Sequence, residues 1–468
     1  MTIDQHLIEQ VVAQVALKVA SALSGPTMKE VTDGIFEDVD SAVAAAAKAQ
    51  RSYLACTMAD RKRFVQAIRD TMLVPEHVRY MAEQAVAQTG MGSVEDKVKK
   101  NEIVATQTPG VEDLITEAWS GDDGLTTLEF SPFGVIGAIT PTTNPTETIT
   151  CNGIGMLAAG NAIVFSPHPR AKDLSIWQVQ VLNKALAAAG APPNLICMVR
   201  EPSIENTEAL MAHPDVKLLV ATGGPGIVRA VMSSGKKAIG AGAGNPPVVV
   251  DQSADLKKAA QDIIAGASFD NNLPCTSEKE CIAVSSVADL LRFHMVKYGA
   301  YEIRDAALLE RLQALVMDGK RPNTEWVGKS ACSILKALGI EPPAGTKLII
   351  AETPFEHPFV QSELMMPILP IVRAANIDEA IELAIKAEHG FRHTAIMHSM
   401  DVRALTKMAK AIQTTIFVKN GPSYAGIGIG GEGFTTFTIA GPTGEGLTST
   451  RTFCRRRRCV LVGGLNVR

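Results

Sequence analysis

No apolar run in the 468 residues reaches the roughly 18 that a membrane span requires, so no crossing helix is expected. The N-terminus lacks the basic n-region of a secretory signal, which points to a protein that stays inside the cell. Cysteine is sparse: eight residues, at 56, 151, 197, 275, 281, 332, 454 and 459, with no C-x-x-C pair. That spacing excludes a disulfide scaffold, predicts no structural zinc or other metal, and suits a reduced cytosolic setting. An excess of either charge is also lacking, since the net charge of −4 favours neither nucleic acid nor an anionic membrane. The one dense basic run, Arg455 to Arg458, precedes the apolar Val460, Leu461 and Val462. It reads as a strand end at a surface or subunit boundary, not as a nucleic-acid-binding tail.

What is present is an α/β pattern long enough for two or three domains at about 150 residues each. In residues 4–23, Leu7, Ile8, Val11, Val12, Val15, Val19 and Leu23 mark one helical face, and Ser24-Gly25-Pro26 ends it. Residues 40–87 are Ala-rich and helical. The stretch WSGDDGLTTLEF predicts a hairpin, with a Gly/Asp turn between strand-like arms. Beyond it, apolar strands at 135–140, 161–166, 195–199 and 217–222 alternate with helices through Met156 and over 174–189. A second series follows: strands at 248–251, 280–286, 347–352 and 369–374, with a helix over 256–268. Strands apolar along their whole length, alternating with helices, predict parallel sheets covered on both faces. Two such lobes enclose a cleft, and ligands are expected beyond the carboxyl ends of the strands.

Four loops carry the chemistry. TPTTNPT, at 140–146, frames Asn144 between prolines. SPHPR, at 166–170, is a stiff strand exit with Ser166, Pro167 and His168. ATGGPGIV, at 221–228, places Gly223 and Gly224 between a strand and a helix, where the backbone can approach a ligand and aim N–H groups at it. GAGAGNPPVVV, at 240–250, offers Gly242 on another small-residue surface. None of the four is the G-x-G-x-x-G fingerprint of dinucleotide folds. Cys275, in FDNNLPCTSE, reads on its own as ordinary packing, because buried thiols are usually inert.

Together the motifs MLAAGNAIVFSPHPRAK (156–172), TGGPG (222–226), LPC (273–275), ELMMPILPIV (363–372), HGFRHTAIMHS (389–399) and TFCRRRRCVLVGG resemble the coenzyme A-acylating branch of the aldehyde dehydrogenases. The resemblance implies two Rossmann-like α/β lobes with a hairpin-and-tail oligomerisation element. The divisions would be a targeting helix and linker at 1–26, an NAD-binding lobe at 27–112 and 132–245, a catalytic lobe at 246–433, and the oligomerisation element at 113–131 and 434–468. It also implies that Cys275 is the nucleophile, with NAD as cofactor and coenzyme A as co-substrate. Thr140, Pro141, Thr142, Ser166, Pro167, His168, Gly223, Gly224, Gly242, Glu363 and Leu364 would line the nucleotide site. The Asn144 amide and the Cys275 N–H would hold the oxyanion, donors of a kind worth about 2.7–4 kcal/mol each. An ungapped match sets Thr143, not Asn144, opposite the family's asparagine. His393 matches a histidine that acylating enzymes keep near the thiol.

Two departures matter. Gly240 stands where hydrolysing members carry a glutamate base, which makes a thiol, coenzyme A, the expected acyl acceptor in place of water. Ser166 replaces the family's ribose-binding lysine. The resemblance further implies a homodimer or homotetramer in the cytoplasm, housed in a bacterial microcompartment through docking of the N-terminal helix on shell or cargo proteins. The expected substrate is a short aliphatic aldehyde, propanal ahead of acetaldehyde. The competing readings are a hydrolysing aldehyde dehydrogenase, a cysteine acyltransferase without a redox step, and a non-catalytic protein of the same fold.

Overall fold

Strands buried on both faces need apolar side chains throughout, and Val135–Ile139 and Ala162–Ser166 are buried at every position. They lie in the middle of a six-stranded parallel sheet ordered Ile35–Phe36, Ile196–Val199, Ala162–Ser166, Val135–Ile139, Val216–Thr222 and Ala238–Ala241. A second sheet has seven parallel strands, ordered Ala300–Ile303, Leu348–Glu352, Ile368–Ala374, Glu280–Val284, Pro247–Val250, Thr394–His398 and Ile416–Lys419. The protein is seen here as a computed structural model that describes residues 33–467. The expected helix at 4–23 and its linker lie outside the described residues. From Asp33 on the chain forms one compact unit.

The core follows the sheets. Ile136, Val164, Leu182, Leu219 and Ile239 pack in the first cluster, and Val248, Ile263, Cys281, Ile371 and Ile396 in the second. Cys151 and Cys197 are buried and their thiols are pushed up by that burial, so both are packing residues. The helix Leu256–Ser268 has the bounds expected from sequence, capped by the Asp255 carboxylate, which accepts from the N–H groups of Lys257 and Lys258. Val94–Gln107 is a helix that the hydrophobic pattern did not announce, because its buried face includes Lys97, Lys100 and Asn101.

The hairpin forms as expected, Glu117–Gly121 against Gly124–Pro132. The tail forms a strand as expected: Arg455 to Arg458 are exposed in the first half of Cys454–Val462, which pairs antiparallel with this chain's own hairpin strand from Cys454↔Pro132 to Val462↔Gly124. The two arms of the expected oligomerisation element therefore pair with each other within one chain. A hairpin alone is marginal, and the third strand completes a sheet that leaves Trp119, Val460 and Val462 exposed.

Candidate active site

The three polar residues at 270–272, ahead of Cys275, have a backbone explanation. Asp270, Asn271 and Asn272 all adopt left-handed conformations, with φ of 48°, 54° and 65°. Asp and Asn are the side-chain-bearing residues that enter this region most readily. Each is locked by its own side chain. Asp270 Oδ1 accepts from Ser93 N at 2.7 Å, and its Oδ2 lies between Lys97 Nζ (3.0 Å) and Lys100 Nζ (2.6 Å). Asn271 Nδ2 donates to the carbonyls of Gly92 (3.1 Å) and Gly328 (2.9 Å). Asn272 Nδ2 donates to the carbonyls of Ala267 and Glu278, while its Oδ1 accepts from Lys279 Nζ at 2.7 Å. Gly92 is required beside this turn: a Cβ there would sit 2.2 Å from Asp270 Oδ1. The turn delivers Cys275 to its place after the buried Leu273 and the stiff Pro274.

Cys275 opens on a cavity of about 860 Å³. One wall comes from the carboxyl ends of the first sheet: Thr140, Pro141, Thr142, Thr143 and Asn144; then Ser166, Pro167 and His168; then Gly223 and Gly224; then Gly242. The opposite wall comes from residues just before strands of the second sheet: Cys275 ahead of Glu280–Val284, Glu363 ahead of Ile368–Ala374, and His393 ahead of Thr394–His398. The expectation of carboxyl-end loops holds for the first sheet and reverses for the second. Of the proposed site residues, Leu364 alone does not join the cavity: it is buried in a core with Phe359 and Ile349, and Met365 takes the lining position. Neighbouring side chains of an extended segment face opposite ways, so Glu363 and Leu364 cannot both look into the cleft. A Cβ on Gly240 would meet Val228 Cγ1 at 2.8 Å, so a side chain from that position enters the helix Pro225–Met232.

The electrostatics of the thiol wall favour a neutral resting state. Burial, with Glu363 adding to it, pushes the Cys275 thiol up to about 12 against the opposing pull of Lys279 and Lys100. Burial, reinforced by Lys279, pushes His393 down to about 4, so its ring is an uncharged imidazole at neutral pH. His393 Nδ1 pairs with Thr394 Oγ1 at 2.8 Å, and its Nε2 is buried without a partner. Gly244 packs between the two: a Cβ there would lie 2.9 Å from both the Cys275 carbonyl oxygen and His393 Cγ. Lys279, fully buried, holds the thiol loop through the Asn272 carbonyl (2.9 Å) and the Asn272 side chain. A protonated thiol and an uncharged imidazole with an unpartnered ring nitrogen on the same cavity suit covalent catalysis on a carbonyl.

Residues 12–437 match the aldehyde dehydrogenase family. The chain belongs to that family. It is 50% identical over 445 residues to a propanal dehydrogenase (CoA-propanoylating) of Citrobacter freundii, covering 95% of this chain and 96% of the relative. A solved propionaldehyde dehydrogenase of Rhodopseudomonas palustris, with bound CoA and an acylated cysteine, is 64% identical, with a TM-score of 0.93 over 94% of this chain and all of that one. Another, from the fucose utilisation bacterial microcompartment of Clostridium phytofermentans, is 52% identical, with a TM-score of 0.91 over 93% of this chain and all of that one.

The first wall suits the nicotinamide dinucleotide of an aldehyde dehydrogenase. Thr140 Oγ1 is buried without a partner, which leaves a hydroxyl to satisfy. The helix Pro225–Met232 starts at Gly224 with no side-chain cap, and a Cβ on Gly224 or Gly226 would meet nothing within 4 Å, so backbone N–H groups are open to a pyrophosphate. Ser166 Oγ pairs with Thr207 Oγ1 at 2.8 Å, a hydroxyl pair in place of the family's lysine. In this aldehyde dehydrogenase the sequence alone missed Lys97, Lys100, Gly244 and Lys279. Lys279 carried a signal: a lysine directly before a strand buried on both faces has no route to water.

Proposed function

We propose that this aldehyde dehydrogenase oxidises a short aliphatic aldehyde, propanal ahead of acetaldehyde, to its acyl-CoA. The observation that carries the reading is Cys275 on the cavity wall opposite the nucleotide loops, in a cavity that also holds the unpartnered Nε2 of His393. His393 Nε2 takes the thiol proton as sulfur bonds to the aldehyde carbon. The Cys275 N–H and the Asn144 amide donate to the oxygen that becomes negative. Thr140–Thr142, Ser166–His168, Gly223, Gly224, Gly242 and the carboxylate of Glu363 would hold NAD+, which would accept the hydride lost as the adduct becomes a thioester. The imidazolium then releases that proton to water; the coenzyme A thiol attacks the thioester carbon, passes its own proton to the freed imidazole, and leaves as acyl-CoA as the imidazolium returns a proton to the Cys275 sulfur. We take 27–112 with 132–245 as the nucleotide lobe and 246–433 as the thiol lobe.

The test is NADH absorbance with purified protein, propanal and NAD+. With coenzyme A the signal rises steadily. Without it, a burst of about one NADH per site is expected, followed by near arrest, because the thioester has no acceptor. Steady production at the full rate without any thiol would make water the acceptor and the enzyme a hydrolysing one.

We further propose that residues 1–26 dock on microcompartment shell or cargo proteins, and that the exposed Trp119, Val460 and Val462 face a second copy in a homodimer or homotetramer. The apolar stripe of residues 4–23 and the microcompartment source of one similar structure support the first point. A chain lacking residues 1–26 is expected to sediment as an active dimer or tetramer but no longer with shells. Loss of folding or activity would make that segment part of the core.

A further inference from the structure

Lys100 lies wholly buried on the helix Val94–Gln107, away from any route to water, and none of the steps above uses it. An ammonium has three donors and no acceptor. It donates to acceptors on two different segments, Asp270 Oδ2 at 2.6 Å and Asn144 Oδ1 at 2.6 Å, and forms an ion pair with Glu147 Oε1 at 2.9 Å, on the helix that Asn144 starts. Burial alone would discharge it, but Asp270 and Glu147 outweigh burial and hold its pKa above the ordinary value. The amide of Asn144 could in principle face either way. With Oδ1 fixed by a permanent cation, Nδ2 is committed to the other side, where it donates to Thr143 Oγ1 at 3.2 Å and keeps its second N–H. Lys97, one turn earlier, holds the Thr143 carbonyl at 3.1 Å and shares Asp270 Oδ2, so the pair clamps the whole Thr143–Asn144 corner.

We infer that Lys100 is a positioning residue for the oxyanion hole. It sets the orientation of the Asn144 amide and ties it to Asp270, the first residue of the turn that carries the Cys275 N–H. A cation on Oδ1 also polarises the amide, which strengthens the N–H that faces the developing oxyanion. The inference rests on the reading of Asn144 as an oxyanion donor, and the test separates the two.

The experiment is a double-mutant cycle on the full-length enzyme with Lys100→Met, Asn144→Ala and the combined variant. It follows kcat, the KM values for NAD+ and coenzyme A, and Cys275 alkylation by iodoacetamide, a displacement at carbon that forms no oxyanion. Each single variant is expected to lose about 10²-fold in kcat, with both KM values held within about twofold. In the Asn144→Ala background, Lys100→Met should cost less than about threefold more, because its effect passes through the missing amide. Alkylation should change less than about fivefold in all three. If Lys100→Met fails to fold, Lys100→Met combined with Glu147→Gln removes equal and opposite charge and carries the same comparison. An equal Lys100→Met cost in both backgrounds, or an alkylation rate that falls with kcat, would overturn the positioning role while leaving Asn144 as donor. An Asn144→Ala variant with unchanged kcat would remove the oxyanion reading and the inference with it.

Discussion

Cys275→Ala is expected to bring aldehyde oxidation below about one per cent of the unchanged enzyme while NAD+ binding persists. The sulfur forms the bond on which every later step depends, and among the described residues no other thiol lines the cavity. The nucleotide loops belong to the first sheet and do not depend on the Cys275 side chain for their conformation. The loss should be confined to kcat, because alanine keeps the backbone N–H, the loop and both lysines beneath it. NADH absorbance and calorimetric titration with NAD+ check the two halves. Turnover above that level would mean the thiol is not the nucleophile, and loss of nucleotide binding would mean the substitution acts through the fold.

Asp270→Ala is expected to destabilise the protein by about 3–5 kcal/mol, the range for breaking a buried ion pair from one side. Asp270 is fully buried and its carboxylate faces Lys97 and Lys100, both also buried, so its removal leaves two ammonium groups with one fewer counter-charge between them. It also strips the acceptor from Ser93 N and puts alanine at φ 48°, a conformation for which Asp is better suited. Asp270→Asn keeps the shape and loses only the charge, so it should fall between the two. The shift in denaturant midpoint measures the effect. A midpoint unchanged in the alanine variant would show that the buried lysines do not need this partner.

The strands Val135–Ile139, Ala162–Ser166 and Val216–Thr222 were legible because burial on both faces writes a nearly continuous apolar run, broken in the third by the exposed Lys217 near its start. The helix Leu256–Ser268 was legible because one face is apolar and Asp255 caps it. Val94–Gln107 was not, since hydropathy counts Lys97, Lys100 and Asn101 as solvent-facing when each is buried by a specific partner. Cys275, Asn144, Glu363 and His393, far apart in the chain, were found through motifs that each carry one of them. Residues outside those motifs were not: nothing in sequence spacing brings Lys100 to Asn144, or Gly244 between Cys275 and His393. Leu364 was assigned with its neighbour Glu363 because a motif match carries adjacent residues along, whereas the side chains of an extended segment diverge. The tail was recognised as a strand, but its partner depends on register with residues more than three hundred positions away.

The three left-handed residues ahead of the nucleophile also fix where this enzyme can be redesigned. At 270, 271 and 272 a replacement must tolerate positive φ and supply a hydrogen-bonding side chain of one length. Glycine meets only the first demand, β-branched residues meet neither, and most others forfeit about 1–2 kcal/mol per position before any bond is counted. A library aimed at longer aldehydes gains nothing from randomising that turn. The variable positions belong among the apolar lining residues, such as Phe437 and Ile439, where volume can change without moving the sulfur.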